Sequence, residues 1–227
     1  MVRAMRYSRA GLCALVLVGS LVTAAAMAAA LSRDYSSFDS PASFYDAWKI
    51  KKWAGTVHVD FLDAGGAPGV EFQCPSSSWA FFRRVDVDLN RSPILSWRWR
   101  ADALPPGGDG RRRETDDEAA QVYLLFPGEG LFGALNYRVL GYTWETEPAA
   151  GTFYISPKTP NLRIFVLRSK QDRLGVWTSE RRDVAADFRA AFGRAPLKPV
   201  AISIQIDSEN TKSFARSAFS GLTFSTR

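Results

Sequence analysis

Cysteine and histidine are nearly absent: the 227 residues include two cysteines and one histidine. Cys13 lies in an amino-terminal apolar run that reads as a removable leader, so the mature chain is expected to keep Cys74 alone. One thiol excludes an intramolecular disulfide even in an oxidising compartment. One histidine with one cysteine cannot build the common structural zinc sites. No Gly-x-Ser-x-Gly elbow is present, so His58 has no evident nucleophile to activate, and Ser76-Ser77-Ser78 reads as a turn. Cys74 shares the parity of Val70 and Phe72 and is expected in the core. Beyond the leader no apolar run is long enough to cross a bilayer, so no stable membrane span is expected once the leader is cut. Internal repeats and interdomain linkers are also missing, which leaves a single domain over 31–227.

The leader occupies 1–30. Arg3, Arg6 and Arg9 precede an apolar stretch from Gly11 to Met27, and Ala28-Ala29-Ala30 suits a signal peptidase. The expected destination is periplasmic or secreted. The formal charge of +6 (29 basic, 23 acidic) is partly a property of this leader; its three arginines leave 26 basic residues against 23 acidic ones, or +3. Nucleic acid is therefore not an expected partner. Roughly 197 residues remain, enough for one well-packed core.

The abundant pattern is alternation. In Leu95-Ser96-Trp97-Arg98-Trp99-Arg100, apolar and polar side chains change places with a period of two, as in a half-buried strand. Similar alternation covers Val57 to Phe61, Val70 to Cys74 after a Gly65-Gly66 turn, Val85 to Leu89, Val122 to Phe126 and Val200 to Ile206. Tyr142 to Glu145, Phe153 to Ile155, Leu162 to Val166 and Leu222 to Phe224 add further strands, and 105–114 reads as an exposed loop. Two short helices are expected. One lies in 39–53, with Ser40 as cap, Pro41 first, and Phe44 and Trp48 on one face; the other runs from an Asp183 cap to a Gly193 stop. Roughly ten strands with short helices predict an all-β, two-sheet, jelly-roll-like sandwich.

Several segments together resemble a bacterial family, domain of unknown function 3047. They are Trp97-Arg98-Trp99, Thr115 to Ala120 leading into Val122 to Phe126, Tyr142-Thr143-Trp144, Gly175-Val176-Trp177, Arg182-Asp183-Val184 with Asp187-Phe188-Arg189, Phe192-Gly193, and Ile206 to Thr211. The resemblance implies an exported β-sandwich and supplies no activity. The closing strands also look like those of carbohydrate-binding jelly rolls, although Glu209 stands where Asp is usual and Ser220-Gly221 replace an acidic residue.

Three clusters carry candidate chemistry. In an extended chain Asp116 and Glu118 share a face while Asp117 points away, which makes Asp116 and Glu118 the pair for glycan hydrolysis or lysis. The simpler account is a loop whose carboxylates cap backbone amides or answer Arg111 to Arg113. Asp207, Glu209 and Asn210 offer hard oxygen ligands that suit Ca²⁺, although EF-hand spacing is absent and a structural turn is simpler. Trp97 and Trp99 are assigned inward with Leu95, leaving Arg98 and Arg100 on the opposite surface as candidate ligand-binding cations, with a solvated outer sheet as the simpler account; Tyr142, Trp144 and Glu145 are the candidate aromatic platform. The leading expectation is a non-catalytic module for glycans or other ligands of the cell envelope. The alternatives are a hydrolase or lyase using Asp116 and Glu118, and a structural partner protein of the envelope.

Overall fold

A computed structural model describes residues 32–128 and 137–227. The predicted leader and most of a predicted break at 127–133 lie outside the described residues. In chain order the elements are β1 (Arg33–Asp34), α1 (Pro41–Ala47), β2 (Lys49–Ala54), β3 (His58–Asp63), β4 (Pro68–Pro75), β5 (Ser78–Arg84), β6 (Ile94–Ala103), β7 (Ala120–Phe126), β8 (Arg138–Trp144), β9 (Phe153–Ile155), β10 (Leu162–Arg168), β11 (Thr178–Asp183), α2 (Val184–Phe192), β12 (Ala201–Asp207) and β13 (Phe214–Ser225). They form two sheets, making a jelly-roll-like sandwich. One has the order β11-β6-β13-β4-β3, with β1 also on β13; the other runs β2-β5-β12-β7-β8-β10-β9. Among these described strands every pairing is antiparallel except β8 with β10.

The core fills the space between the sheets, and alternation decides who enters it. Leu95, Trp97, Trp99 and Ala101 point inward from β6 and meet Leu140, Tyr142 and Trp144 of β8. The Trp97 and Tyr142 rings lie 5.4 Å apart, and the Trp99 and Trp144 rings 5.9 Å. Val122, Leu124 and Phe126 of β7 and Ile202, Ile204 and Ile206 of β12 complete the layer, all fully buried. Both helices close this core. Ser40 caps α1 by accepting from the Ser43 amide, and Phe44 is buried against Phe81. Asp183 caps α2, Phe188 packs on Phe126 at 4.4 Å, and Gly193 ends the helix at φ +69°, where a side chain would be strained.

Four readings of the sequence need correction. The first helix stops at Ala47, because Lys51 and Lys52 would occupy the next turn of its buried stripe; Lys49–Ala54 instead pairs with β5. Val85, Val87 and Leu89 are buried, yet their segment joins neither sheet, because alternation reports a buried face and not a ladder partner. Ser78 opens β5 rather than ending a turn; the run Trp79-Ala80-Phe81-Phe82 concealed that strand. The loop 105–114 is not wholly exposed. Asp109 is buried and holds Arg111 through two bonds of 2.8 and 2.9 Å, with Arg112 at 3.6 Å, while Arg113 donates to the Pro157 carbonyl, so the arginines do not answer the acidic run after them.

Candidate functional site

The face of the seven-stranded sheet turned away from the core carries a cleft of about 510 Å³. Its floor follows from strand register. Ser203 of β12 sits between Phe82 of β5 and Tyr123 of β7, Gln205 between Ala80 and Gln121, and Asp207 opposite Ser78. Gly141 of β8 lies opposite Tyr123, and a Cβ there would stand 2.8 Å from the Tyr123 ring, so glycine lets the ring lie over β8. A small apolar cluster of Tyr123, Val139, Leu162, Ile164 and Val166 supports this side of the sheet. Trp53 is 51% exposed, Tyr137 41% and Phe82 39%, so three aromatic side chains of the lining are open to solvent.

Acidic groups gather in the same lining: Asp116 and Glu118 from the segment entering β7, and Asp207 and Glu209 from the end of β12. Asp116 and Glu118 line the cleft and Asp117 turns away from it, as expected, although a tight turn closed by the Asp117 amide on the Thr115 carbonyl (2.9 Å), rather than an extended chain, leads into Asp117. Asp117 is fully buried and accepts from the amides of Asn210 (3.0 Å) and Thr211 (2.6 Å). The Asp207 amide donates to the Glu118 carbonyl at 3.0 Å. The acidic segment and the β12–β13 turn therefore form one hydrogen-bonded unit.

Burial sets the protonation of this unit. It drives the Glu118 carboxyl well above its ordinary range, with Asp116, Glu145, Asp207 and Asp117 adding to the effect. Asp207 is pushed up to about 8, again by burial first and then by Asp117. Burial also raises Asp116, but Lys158 at 3.1 Å opposes it. Glu118 is 3% exposed and Ser203 2%; Glu118 Oε1 and Ser203 Oγ have no hydrogen-bond partner among the described residues. Behind this pair, Gly110 leaves space that a Cβ would fill by colliding with Glu118 Oε1 and Tyr154 Oη.

The predicted binding residues are distributed differently. Tyr142 and Trp144 are fully buried in the core, where their polar atoms bond Asp187 (2.8 Å) and the Ser169 carbonyl (3.2 Å), so they offer no stacking face. Glu145 is buried outside the cleft lining, holding Tyr154 at 2.6 Å, Thr143 at 2.9 Å and the Gly110 amide at 3.2 Å. Burial pushes its carboxyl up to about 7. Arg98 and Arg100 lie on the outer face of the other sheet. Arg98 donates to the Ala64 carbonyl, Arg100 pairs with Glu71 and Asp102, and each guanidinium lies 5.2 Å from the Trp177 ring centre.

Two members of the predicted metal trio of Asp207, Glu209 and Asn210 already accept from protein donors. Asp207 accepts from the Glu209 amide and the Ser78 hydroxyl, whereas Asn210 Oδ1 accepts from Lys158 at 2.6 Å. Among the described residues no group of three or more His, Cys, Asp or Glu is arranged to hold a metal ion. Cys74 is buried, and burial pushes its thiol up to about 12. His58 is exposed on β3 of the opposite sheet. Sequence reasoning missed Trp53, Phe82, Tyr137 and Lys158; the first two sit on strands β2 and β5, which lack clean alternation.

The fold and the cleft define a jelly-roll-like sandwich with an acid-lined, aromatic-bordered groove on one sheet. The profile of the family Protein of unknown function (DUF3047) matches residues 45–223, and the chain belongs to that family. No curated protein matches the sequence significantly. Among solved structures, the chain is similar to the family 11 carbohydrate-binding module of a cellulosomal cellulase of Clostridium thermocellum at 8% identity (TM-score 0.47, 86% of this chain, 95% of that one). It is likewise similar to the family 30 module of another cellulosomal cellulase of that organism at 9% identity (TM-score 0.47, 87% and 98%). The family 11 xylanase from Neocallimastix patriciarum is similar at 14% identity (TM-score 0.42, 86% and 96%).

Proposed function

We propose that the protein is an exported module that binds a glycan of the cell envelope in the cleft of the seven-stranded sheet, without catalysis. The observation that carries this reading is the cleft itself. Exposed Trp53, Phe82 and Tyr137 offer apolar faces to sugar C–H groups, next to a polar floor of Gln121, Ser203 and Gln205. Its volume of about 510 Å³ falls in the range of small-molecule sites. Export rests on the leader at 1–30. The test is calorimetric titration with a panel of envelope polysaccharides. Trp53→Ala and Phe82→Ala are each expected to weaken association by about 2- to 10-fold, the worth of one aromatic contact. A folded protein that binds no member of the panel would remove the reading.

A second reading, glycan hydrolysis, is favoured by the unequal surroundings of two carboxyl groups. Burial raises both, Glu118 well above its ordinary range, but Lys158 at 3.1 Å draws only Asp116 back towards the carboxylate. In that reaction Glu118 gives its proton to the glycosidic oxygen as the C–O bond breaks, and Asp116 takes a proton from the water that adds to the anomeric carbon. Reducing-end release, lost in Glu118→Gln while binding persists, distinguishes catalysis from binding. Co-purification of an envelope protein without sugar binding would point to a structural partner instead.

A further inference from the structure

We infer that the glycan ligand carries an alkyl or acyl chain, because the cleft is divided along its strands into a hydrogen-bonding end that suits a sugar and an aliphatic end that suits the chain. This inference rests on the glycan-binding reading above and narrows its ligand class.

Strand register draws the division. At one end Leu125 of β7 stands opposite Val139 of β8, and Val139 opposite Leu162 of β10; Tyr137, just ahead of β8, borders the same row. At the other end Gln205 of β12 stands opposite Gln121 of β7, Asp207 opposite Ser78 of β5, and Asp116 and Glu118 come in ahead of β7. The row of Phe82, Ser203 and Tyr123 lies between them. Leu125 and Gln121 are four residues apart on one strand, which separates the two ends by about 13 Å. Trp53 joins the polar end from β2, where its neighbours Lys52 and Ala54 pair with Trp79 and Ser78.

The two ends call for different chemistry. The polar end carries little net charge. Lys158 pairs with Asp116, burial raises Glu118 and pushes Asp207 up to about 8 so that both favour the proton near neutral pH, and Lys51 and Glu209 balance in number. Such a surface suits the uncharged hydroxyls of a sugar, with the Trp53 ring as an apolar face beside them. Leu125, Val139 and Leu162 hold no side-chain donor or acceptor. A hydroxyl seated on them would lose its bonds to water without replacement, whereas a methylene gives up none. Leu125 is partly buried and Tyr137 is exposed, so this end is open to a ligand, and it is continuous with the polar end in one cleft. One molecule with a sugar head and an aliphatic tail serves both ends together; a free sugar leaves the aliphatic row facing water.

The experiment is calorimetric titration of the full-length mature protein with methyl, butyl, hexyl and octyl β-glucosides, with the matching β-galactosides, all below micelle-forming concentrations, and with octanol. Affinity is expected to rise about two- to four-fold per buried methylene, which makes the better octyl glycoside about ten-fold or more tighter than its methyl partner; octanol should bind more weakly than either octyl glycoside. Tyr137→Ser and Leu125→Gln should each cut the octyl-to-methyl ratio by about three-fold or more, and the exposed Tyr137 supplies the test even if Leu125→Gln fails to fold. Gln205→Ala should weaken methyl and octyl forms alike. Equal affinity for methyl and octyl forms, or no glycoside binding beside a polysaccharide that binds, would overturn the inference and leave the glycan reading intact. An octyl advantage that survives both variants would also overturn it, since the chain would then lie elsewhere on the protein. Octanol binding as tightly as the octyl glycosides would overturn it in favour of a plain lipid site. Failure of every glycoside and every polysaccharide to bind would defeat the glycan reading itself.

Discussion

Raising the pH from about 5 to about 8 should destabilise this protein, because its buried acids retain protons that the unfolded chain has already lost. Asp207 titrates at about 8 in the fold against an ordinary 3.8, and Glu145 at about 7 against 4.5. Between those limits the native state binds more protons, so unfolding free energy falls with rising pH and levels off once both groups ionise in the fold. At ~1.4 kcal/mol per pKa unit, the two groups together account for on the order of 5 kcal/mol across the interval. For a domain of this size that corresponds to a Tm lower by roughly 10–20 °C. Asp109 and Asp183 act in the opposite sense: both are held below the ordinary carboxylate range, Asp109 mainly by Arg111 and Asp183 by the Ala186 amide and Arg227, against burial in each case. Their contribution is lost only as the pH falls through the acid range, so stability should peak near the lower limit of the interval. Denaturant melts at half-unit steps, repeated on Asp207→Asn and Glu145→Gln, would measure the slope; each variant should remove about one proton of difference. Stability that is flat or rises between pH 5 and 8 would refute the protonated cluster.

Other perturbations test single contacts. Asp117→Ala leaves the Asn210 and Thr211 amides without their acceptor, and at about 1.5–3 kcal/mol per bond to a charged group it should cost about 3–5 kcal/mol in chemical denaturation and disorganise the cleft. Gly141→Val should cost about 1–3 kcal/mol and displace the Tyr123 ring; an unchanged melting curve would contradict the close approach. Trp99→Ala, in the centre of the core, should cost about 3–5 kcal/mol. Cys74 should resist alkylation at neutral pH until the protein unfolds, since its thiol is buried and titrates at about 12; fast labelling of the native protein would count against that placement.

How legible the molecule was depends on which physical question is asked. Trp97 and Trp99 share the parity of Leu95, which predicts them inward, and they are buried. The same parity argument applied to Tyr142 and Trp144, which alternate with Leu140, and it outweighs the chemical attraction of reading Tyr and Trp as a sugar platform. Two-residue spacing predicts Asp116 and Glu118 on one side of the chain, and both line the cleft. The same parity puts Arg98 and Arg100 opposite the tryptophans, but the contacts of Arg100 with Glu71 and of both guanidinium groups with Trp177 depend on segments distant in sequence.

Period-two patterning specifies the sandwich class and the inward face of the clearly alternating strands, because such an apolar pattern can be buried only on one side of a sheet. The sequence also specifies both helix caps, which are short-range bonds between neighbours in the chain. The site itself comes from long-range packing. β7 and β12 lie side by side, so the Asp117 carboxylate reaches amides 93 and 94 residues away, and two acidic segments read as unrelated become one cluster. Strand order is settled by long-range pairing, and local periodicity contains no information about which strand becomes whose neighbour.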